Sequence, residues 1–235
     1  MKKYTFLLAF LFITVSVVGQ NAIPNGNFEN WTSSSYEYPE YYFFNSNIDM
    51  FLHAGGVPFN VEKSTDAYHG SYAVMLTSQA ISATDTVFGY FLNADPQDGD
   101  PSSWVGGIPI SEKPSGIRGY YKYNVATADS ATVIVAFCKN GANIGAYLYK
   151  IGGIKTNYTL FDFNFLPALS DVPDSVIIGF ASSDVMNGDN GVDGSILLID
   201  SVSLKGISAQ PANLNGDFEL WQNQTLERPD DWYVE

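Results

Sequence analysis

A short segment of the chain carries polar side chains that could bind a sugar. Residues 117–125 have a strand-like pattern in which successive side chains point to opposite faces. One face would carry Arg118, Tyr120, Lys122 and Asn124. Aromatic rings stack on sugar rings, while guanidinium, ammonium and amide groups bond to hydroxyls. We predict that this face binds a glycan, with Trp104 at its flank; the alternative is an ordinary solvated face.

Groups suited to catalysis are few. The two histidines, His53 and His69, lack zinc-ligand spacing, and the chain has neither a Gly-x-Ser-x-Gly elbow nor a P-loop. The single cysteine, Cys138, lies in an apolar run and is predicted to be a small buried hydrophobe. Carboxylates that could form a glycosidase pair are predicted to lie on solvated loops: Asp95, Asp98, Asp100 and Glu112. We therefore predict no catalytic residues and no enzyme activity.

Apolar and alternating runs separated by turn residues predict the strands that position these side chains. The predicted strands are 71–78, 85–92, 117–125, 131–139, 145–151, 156–165, 175–183 and 195–204. Asn140-Gly141 predicts a tight hairpin, because both residues tolerate positive φ. Strands of this number and spacing predict an all-β fold, a two-sheet antiparallel sandwich of the jelly-roll type.

Alternation also predicts which side chains enter the core. In the strand 117–125, Tyr121 and Tyr123 are expected to point inward and Tyr120 to be at least partly exposed. In the last strand, Asp200 is expected to share a face with Ile196, Leu198, Val202 and Leu204. A carboxylate among aliphatic side chains needs a partner, because burying it alone is costly.

The opening of the chain recurs near its end. Residues 23–31 (IPNGNFENW) match residues 213–221 (NLNGDFELW), with a constant offset of 190. This predicts a sandwich domain over 20–206, a linker over 207–212, and the opening strand of a second, truncated repeat domain over 213–235. Because one strand without its sheet buries little apolar surface, we expect 213–235 to be extended and poorly packed. The alternative is that it docks on the first domain as an edge strand.

Charge and the N-terminus restrict the partners and the location. Residues 1–19 combine Lys2 and Lys3 with an apolar stretch and are predicted to be a signal peptide. We expect an exported protein with no membrane span. The net charge of −14 argues against nucleic acid and anionic lipid, which need a basic surface. A neutral glycan, a cation or another protein fits better. The partners that we predict are a polysaccharide or glycoconjugate and further domains C-terminal to residue 235.

The two ends of the predicted sandwich resemble those of jelly-roll carbohydrate-binding modules. The opening Asn25-Gly26-Asn27-Phe28-Glu29 and the closing strand 198–204 (LIDSVSL) carry this resemblance. The interior is similar to the carbohydrate metabolism domain family of bacterial surface proteins, through residues 107–109 (GIP), 118–123 (RGYYKY), 129–131 (DSA), 182–183 (SS) and 194–195 (GS). The resemblance implies a sugar-related role, in a protein that is secreted or on the surface of a Gram-negative bacterium, without defining a reaction.

The resemblance also implies a structural calcium ion. In such modules the opening and closing strands are neighbours, so Glu29 and Asp200 would be its carboxylate ligands. Backbone carbonyls near His69 to Ser71 would complete the shell. The alternative is that Asp200 accepts only hydrogen bonds, with Glu29 exposed.

We therefore predict a non-catalytic, exported carbohydrate-binding module of a multidomain protein. One alternative is a structural or adhesive module that joins protein to protein and has no glycan site. The other is a glycan-degrading domain, which would need two close carboxylates in a deep cleft.

Overall fold

The computed structural model describes residues 23–54, 58–95, 103–124, 129–187 and 191–232. In chain order the strands are β1 (Trp31–Pro39), β2 (Phe44–Asn45), β3 (Val61–Ser64), β4 (Ala73–Thr77), β5 (Gln79–Ala80), β6 (Thr86–Val87), β7 (Tyr90–Leu92), β8 (Ala94–Asp95), β9 (Val105–Gly106), β10 (Ile108–Pro109), β11 (Gly116–Asn124), β12 (Ser130–Lys139), β13 (Ala142–Gly152), β14 (Lys155–Asn164), β15 (Ser175–Ala181), β16 (Ile196–Lys205) and β17 (Trp221–Pro229). One α-helix, α1 (Asn47–Ala54), and a 3₁₀ turn, Val185–Asn187, complete the described elements.

Two antiparallel sheets form the body of the molecule. The first has the strand order β13-β12-β15-β7-β2, with β10 also pairing with β15, and the second has the order β14-β11-β16-β4-β3. Their inner faces enclose one hydrophobic core, which includes Phe91, Val135 and Phe180 from the first sheet and Leu76 and Ile199 from the second. The predicted all-β jelly-roll sandwich is confirmed.

The predicted faces of β11 and the predicted hairpin are both confirmed. Tyr121 and Tyr123 are buried in the core, whereas Tyr120 is partly exposed. Asn140 and Gly141 join β12 to β13 with φ values of 52° and 75°. These are the positive values that a tight hairpin turn requires.

The predicted alternation along β16 is wrong over half of the strand. Leu197 and Ile199 enter the core before Asp200, and Val202 and Leu204 enter it afterwards. The inward face therefore changes parity within the strand. The cause is an irregularity in the pairing of β16 with β11, opposite Arg118 to Tyr120, and a φ of 52° at Ser201. A β-bulge of this kind adds one residue and reverses the faces beyond it. Asp200 thus lies on the outer side of its sheet.

The segment 213–232 is well packed, so the expectation of a poorly packed tail is wrong. β17 pairs with β1 over nine residues, from Trp31 opposite Pro229 to Pro39 opposite Trp221. Just before β17, Leu214 and Phe218 are buried in the main core. The linker is held as well, because the Gln210 side chain bonds both the N–H and the carbonyl of Leu204 at 2.8 Å. Apolar burial by the residues that precede the strand offsets the entropy of ordering it.

The predicted signal peptide, residues 1–19, lies outside the described residues. Within the described part of the chain, no helix combines the length and the apolar character that crossing a membrane would require.

Candidate functional site

The outer face of the six-stranded sheet carries a second apolar cluster, separate from the main core. The cluster includes Ala136 and Cys138 of β12 and Ile177 of β15, all of which are buried. Phe44, Tyr90 and Trp104 pack against that cluster. The outward side chains of this sheet are thus apolar, where a solvated face would be polar.

A cleft of about 840 Å³ opens on this face. Its size lies within the range of small-molecule sites. Among the described residues it is lined by Phe44, Asp49, His53, Thr86, Val87, Phe88, Tyr90, Phe91, Leu92, Trp104, Ile134, Leu148, Phe180, Ala181, Val185 and Met186. An apolar, aromatic wall with a few polar groups is the usual composition of a ligand pocket.

Aromatic rings are grouped on one side of the cleft. Tyr90 packs against Phe44 with ring centroids 5.7 Å apart and an interplanar angle of 29°. It also contacts Phe88 at 5.5 Å. Because these rings restrain one another, Tyr90 is held in a fixed orientation.

A carboxylate and a hydroxyl lie together at this cleft. The Tyr90 hydroxyl donates to Asp49 Oδ2 over 2.8 Å. Burial, reinforced by the nearby Asp49 charge, raises the pKa of Tyr90 well above its usual range. The phenol therefore stays protonated, while the remaining lone pairs of Asp49 can accept hydrogen bonds from a ligand. His53, at the other end of α1, adds an exposed imidazole.

A buried polar network positions α1 and Tyr90. The Asn45 side chain caps the helix by accepting from Asn47 N–H at 3.2 Å. Asn47 then binds β3: its Oδ1 accepts from the N–H groups of Asn60 and Val61, and its amide donates to the Val61 carbonyl at 2.8 Å. Because Ser46 Oγ accepts from Tyr90 N–H at 2.9 Å, the same turn also fixes β7.

We expect Asn47→Ala to destabilise the protein by about 1–3 kcal/mol, because buried backbone groups of Asn60 and Val61 lose their partners. Urea denaturation followed by circular dichroism measures the change. The exposed Asn157→Ala serves as the control and should stay within about 0.5 kcal/mol of the wild type. Equal stability of both variants would show that the network does not hold the helix.

The predicted ligand residues are divided between two opposite sides of the sandwich. Trp104 lines the cleft on the six-stranded sheet. The other four lie on β11, on the outer face of the five-stranded sheet: Arg118, Tyr120, Lys122 and Asn124. A single ligand-binding face that includes Trp104 and the β11 residues is thus not formed.

The outer face of β11 is partly covered by the loop before β4. Tyr68 stacks on Tyr120 with centroids 3.6 Å apart and planes 12° from parallel, and 46% of Tyr68 is exposed. Lys122 Nζ lies 2.6 Å from Asp66 and 4.7 Å from the centre of the Tyr158 ring. Tyr120 and Lys122 therefore make intramolecular contacts that a ligand would have to replace or extend.

Asp200 is fully buried beneath this loop. Its Oδ2 accepts from the N–H groups of Tyr68 and His69 at 2.6 and 3.0 Å, and its Oδ1 accepts from Ser201 N–H. Burial raises the pKa of Asp200, and these N–H donors partly offset the rise. The backbone N–H groups supply the partner that the sequence required.

None of the described contacts of Asp200 involves Glu29. Glu29 lies just before β1, whereas its repeat equivalent Glu219 reaches the covering loop, where Oε1 accepts from Ser71 and Tyr72 N–H at 2.7 and 3.0 Å. No group of three His, Cys, Asp or Glu side chains within the described ranges is arranged to hold a metal ion. Because backbone N–H groups donate to the carboxylates of Asp200 and Glu219, these two groups are poorly placed to bind a cation. Calcium stays a prediction; a melting temperature unaffected by chelator would argue against it.

Of the carboxylates considered for catalysis, the two that the structure describes, Asp95 and Glu112, do not line the cleft. Asp98 and Asp100 lie outside the described residues, and Glu112 accepts from Ser208 N–H at 2.9 Å. Asp49 is the only acid among the described residues that line the cleft. Cys138 is buried, and burial raises the pKa of its thiol, which disfavours the thiolate.

Sequence reasoning missed most of the cleft, including Phe44, Asp49, Phe88 and Tyr90. The signal available was the run Asn45-Ser46-Asn47 followed by Asp49, a helix start with an acid in the first turn.

The two-sheet jelly-roll sandwich is shared with solved structures that have low sequence identity to this chain. No family model matches the chain, and no curated protein matches it. A candidate glycoside hydrolase from Bacteroides thetaiotaomicron is similar, with a TM-score of 0.54 and 17% identity, over 70% of this chain and 63% of that one. A second candidate glycoside hydrolase, from Bacteroides vulgatus, has a TM-score of 0.54 and 16% identity, over 76% and 96%.

A family 11 carbohydrate-binding module from Clostridium thermocellum, in complex with a mixed-linked tetrasaccharide, is a more distant match. Its TM-score is 0.38 and its identity 14%, over 76% of this chain and 89% of that one. At these identities the similarity defines the fold, and function has to be argued from the cleft.

Proposed function

We propose that this chain is a non-catalytic carbohydrate-binding module of an exported protein and that a polysaccharide or glycoconjugate binds in the aromatic cleft. The observation that carries the proposal is the combination of stacked aromatic rings with the Asp49–Tyr90 pair at one opening. The apolar faces of a sugar ring pack on aromatic rings, and its hydroxyls pair with carboxylates. The similar fold of two candidate glycoside hydrolases supports testing carbohydrates first.

Binding without hydrolysis is the better-supported activity. Glycoside hydrolysis requires a general acid and a second carboxylate on opposite sides of the scissile bond, about 5–9.5 Å apart. The described lining of the cleft offers Asp49 alone. If the chain were a hydrolase, Asp49→Asn would abolish release of reducing sugar from a bound glycan. We expect no such release from the wild type.

The test is a glycan array on residues 20–235, followed by calorimetry on the best ligand. We expect Trp104→Ala to weaken binding by about three- to tenfold, because a wall of the cleft is removed. Tyr120→Ala is the matched control on the opposite sheet and should leave the affinity unchanged. Melting curves confirm that both variants fold.

The opposite pattern of affinity losses would indicate a different binding site. A loss of affinity with Tyr120→Ala and none with Trp104→Ala would place the glycan on the β11 face. An array without any ligand would contradict the proposed function.

A structural or adhesive module is the second candidate, and a separate observation favours it. Phe28 and Trp31, at the free end of the β1–β17 ribbon, are 47% and 53% exposed. Large exposed apolar side chains placed together are typical of interaction surfaces.

A further inference from the structure

Two copies of one short segment adopt the same backbone conformation. We define the N-terminal hook as residues 25–31 and the C-terminal hook as residues 215–221. Asn25 and Phe28 have φ values of 44° and 56°, and Asn215 and Phe218 have 44° and 50°. Positive φ at phenylalanine is uncommon, so its occurrence in both copies marks a defined local structure.

The hooks are closed by the same internal hydrogen bonds. In the first, Asn30 N–H donates to Asn25 Oδ1 at 3.0 Å, and Trp31 Nε1 donates to the Phe28 carbonyl at 2.6 Å. In the second, Leu220 N–H and Trp221 Nε1 make the equivalent bonds at 3.2 and 2.6 Å. Because the N-terminal hook forms while largely exposed, its shape is dictated by its own sequence.

The C-terminal hook fills a slot in the sandwich, which we define by Tyr42, residues 70–72, Phe91 and Val202. Phe218 is fully buried there, 5.9 Å from the Tyr42 ring and 5.7 Å from the Phe91 ring.

Backbone groups complete the recognition. The Gly216 carbonyl accepts from Val202 N–H at 2.7 Å, and Glu219 accepts from Ser71 and Tyr72 N–H. The approach is close: a Cβ at Gly70 would lie 2.3 Å from Glu219 Oε1.

The N-terminal hook presents the same three groups outward. Phe28 is half exposed, and Gly26 and Glu29 stand where their equivalents bind the slot. Its described contacts are with the residues that follow β17 at the same end of the ribbon, where Trp232 packs on Phe28 at 5.0 Å and donates to the Asn25 carbonyl at 3.3 Å. Trp232 follows Tyr42 by 190 residues, so it repeats the contact that Tyr42 makes with Phe218.

The ribbon between the hooks is pseudo-twofold symmetric. Its central pair, Ser35 and Thr225, are themselves 190 residues apart and bond through their hydroxyls at 2.8 Å. Equivalent bonds occur at both ends: Asn25 Nδ2 donates to the Asp230 carbonyl at 2.9 Å, and Asn215 Nδ2 to the Glu40 carbonyl at 3.3 Å. At one end of this two-fold arrangement the C-terminal hook is bound in a slot. The symmetry points to an equivalent slot for the N-terminal hook at the other end.

We propose that the N-terminal hook docks into the slot of a second domain of this same fold. In that slot, Trp232 would take the place that Tyr42 has in the slot of this chain. Each of the two domains would then be completed by the opening hook of the other. Phe28 would enter an aromatic cavity, the Gly26 carbonyl would accept from a strand-edge N–H, and Glu29 would accept from two loop N–H groups. This exchange joins consecutive domains through the ribbon and is independent of the cleft.

The slot of this chain serves as the receptor in the test. The receptor variant carries Phe218→Ala and Glu219→Ala, which remove the two side chains that bind the slot, and Phe28→Ala, which disables its own N-terminal hook. The wild-type chain is the donor. We expect sedimentation to show a one-to-one complex, weakened at least about tenfold by Phe28→Ala in the donor. Ile154→Ala, also at an exposed apolar residue but in the turn between β13 and β14, should leave the complex intact.

A second measurement covers a receptor that fails to fold. In a transplant variant, residues 213–221 of the full chain are replaced by the sequence of residues 23–31. Its melting temperature should lie within about 4 °C of the wild type. A transplant that melts as low as Phe218→Ala, or a folded receptor that binds a peptide of residues 213–221 but not the wild-type donor, would overturn the proposal.

Discussion

Phe218→Ala is expected to lower the free energy of unfolding by about 3–5 kcal/mol, the cost of truncating a phenylalanine in a packed core. Phe218 is fully buried between Tyr42 and Phe91, although it lies only 17 residues from the end of the sequence. The removed ring would leave a cavity among aromatic side chains that cannot collapse to fill it. Urea denaturation monitored by far-UV circular dichroism measures the change.

Phe28→Ala is the matched control, because Phe28 is the same residue in the other copy of the repeat and has a φ within 6° of that of Phe218. It is half exposed, so its replacement should cost less than about 1 kcal/mol in the isolated chain. Similar losses from both substitutions would mean that the C-terminal hook does not occupy the slot in solution. A large loss from Phe28→Ala alone would mean that the N-terminal hook occupies it.

The repeat was visible in the sequence, but its placement was not. Asn215, Gly216 and Phe218 match the opening of the chain, so the sequence alone predicts the opening of a second domain and not a part of the first. Which of two nearly identical segments fills a slot depends on chain path and on long-range packing. Local pattern carries no information on either. The slot is also assembled from four separate parts of the chain, at Tyr42, Gly70, Phe91 and Val202.

The strands of the sandwich could be predicted because their signals are local. Alternation gave the faces of β11, and Asn140-Gly141 gave the hairpin between β12 and β13. The bulge in β16 could not be predicted, because Ser201 carries no residue-type signal for a positive φ.

The cleft escaped prediction for a different reason. β12 is apolar on both sides, because one face meets the core and the other lies beneath the cluster that includes Trp104. A continuous apolar run shows burial on both faces and does not indicate which of them a ligand could reach. By contrast, the alternating β11 face looked like a binding surface, and much of it is engaged with the loop at Tyr68.

Asp200→Ala is expected to lower the free energy of unfolding by about 2–4 kcal/mol. Its carboxylate is the acceptor for the N–H groups of Tyr68, His69 and Ser201, and each buried donor left without a partner costs about 1–3 kcal/mol, reduced where water can enter. The control is Asp66→Ala in the same loop. Its exposed ion pair with Lys122 should contribute no more than about 1 kcal/mol.

The pH dependence of this loss has a defined sign. Burial raises the pKa of Asp200 above its unfolded value, so its contribution to stability is complete below the unfolded pKa and declines as pH rises through the folded one. The difference in unfolding free energy between the wild type and Asp200→Ala should therefore be larger in acid than at neutral pH. Denaturation of both proteins at several pH values between about 3 and 7 measures it.

The same substitution tests whether the buried carboxylate orders the loop as well as stabilising the fold. Asp200 binds the backbone of Tyr68, and Tyr68 in turn stacks on Tyr120. Asp200→Ala should therefore raise the rate of amide exchange at Tyr68 and His69, because local opening of the loop becomes easier. Asp66→Ala should leave exchange at these amides unchanged. If Asp200→Ala lowered stability without changing exchange in the loop, the carboxylate would be a partner of the strand at Ser201 and not an anchor for the loop.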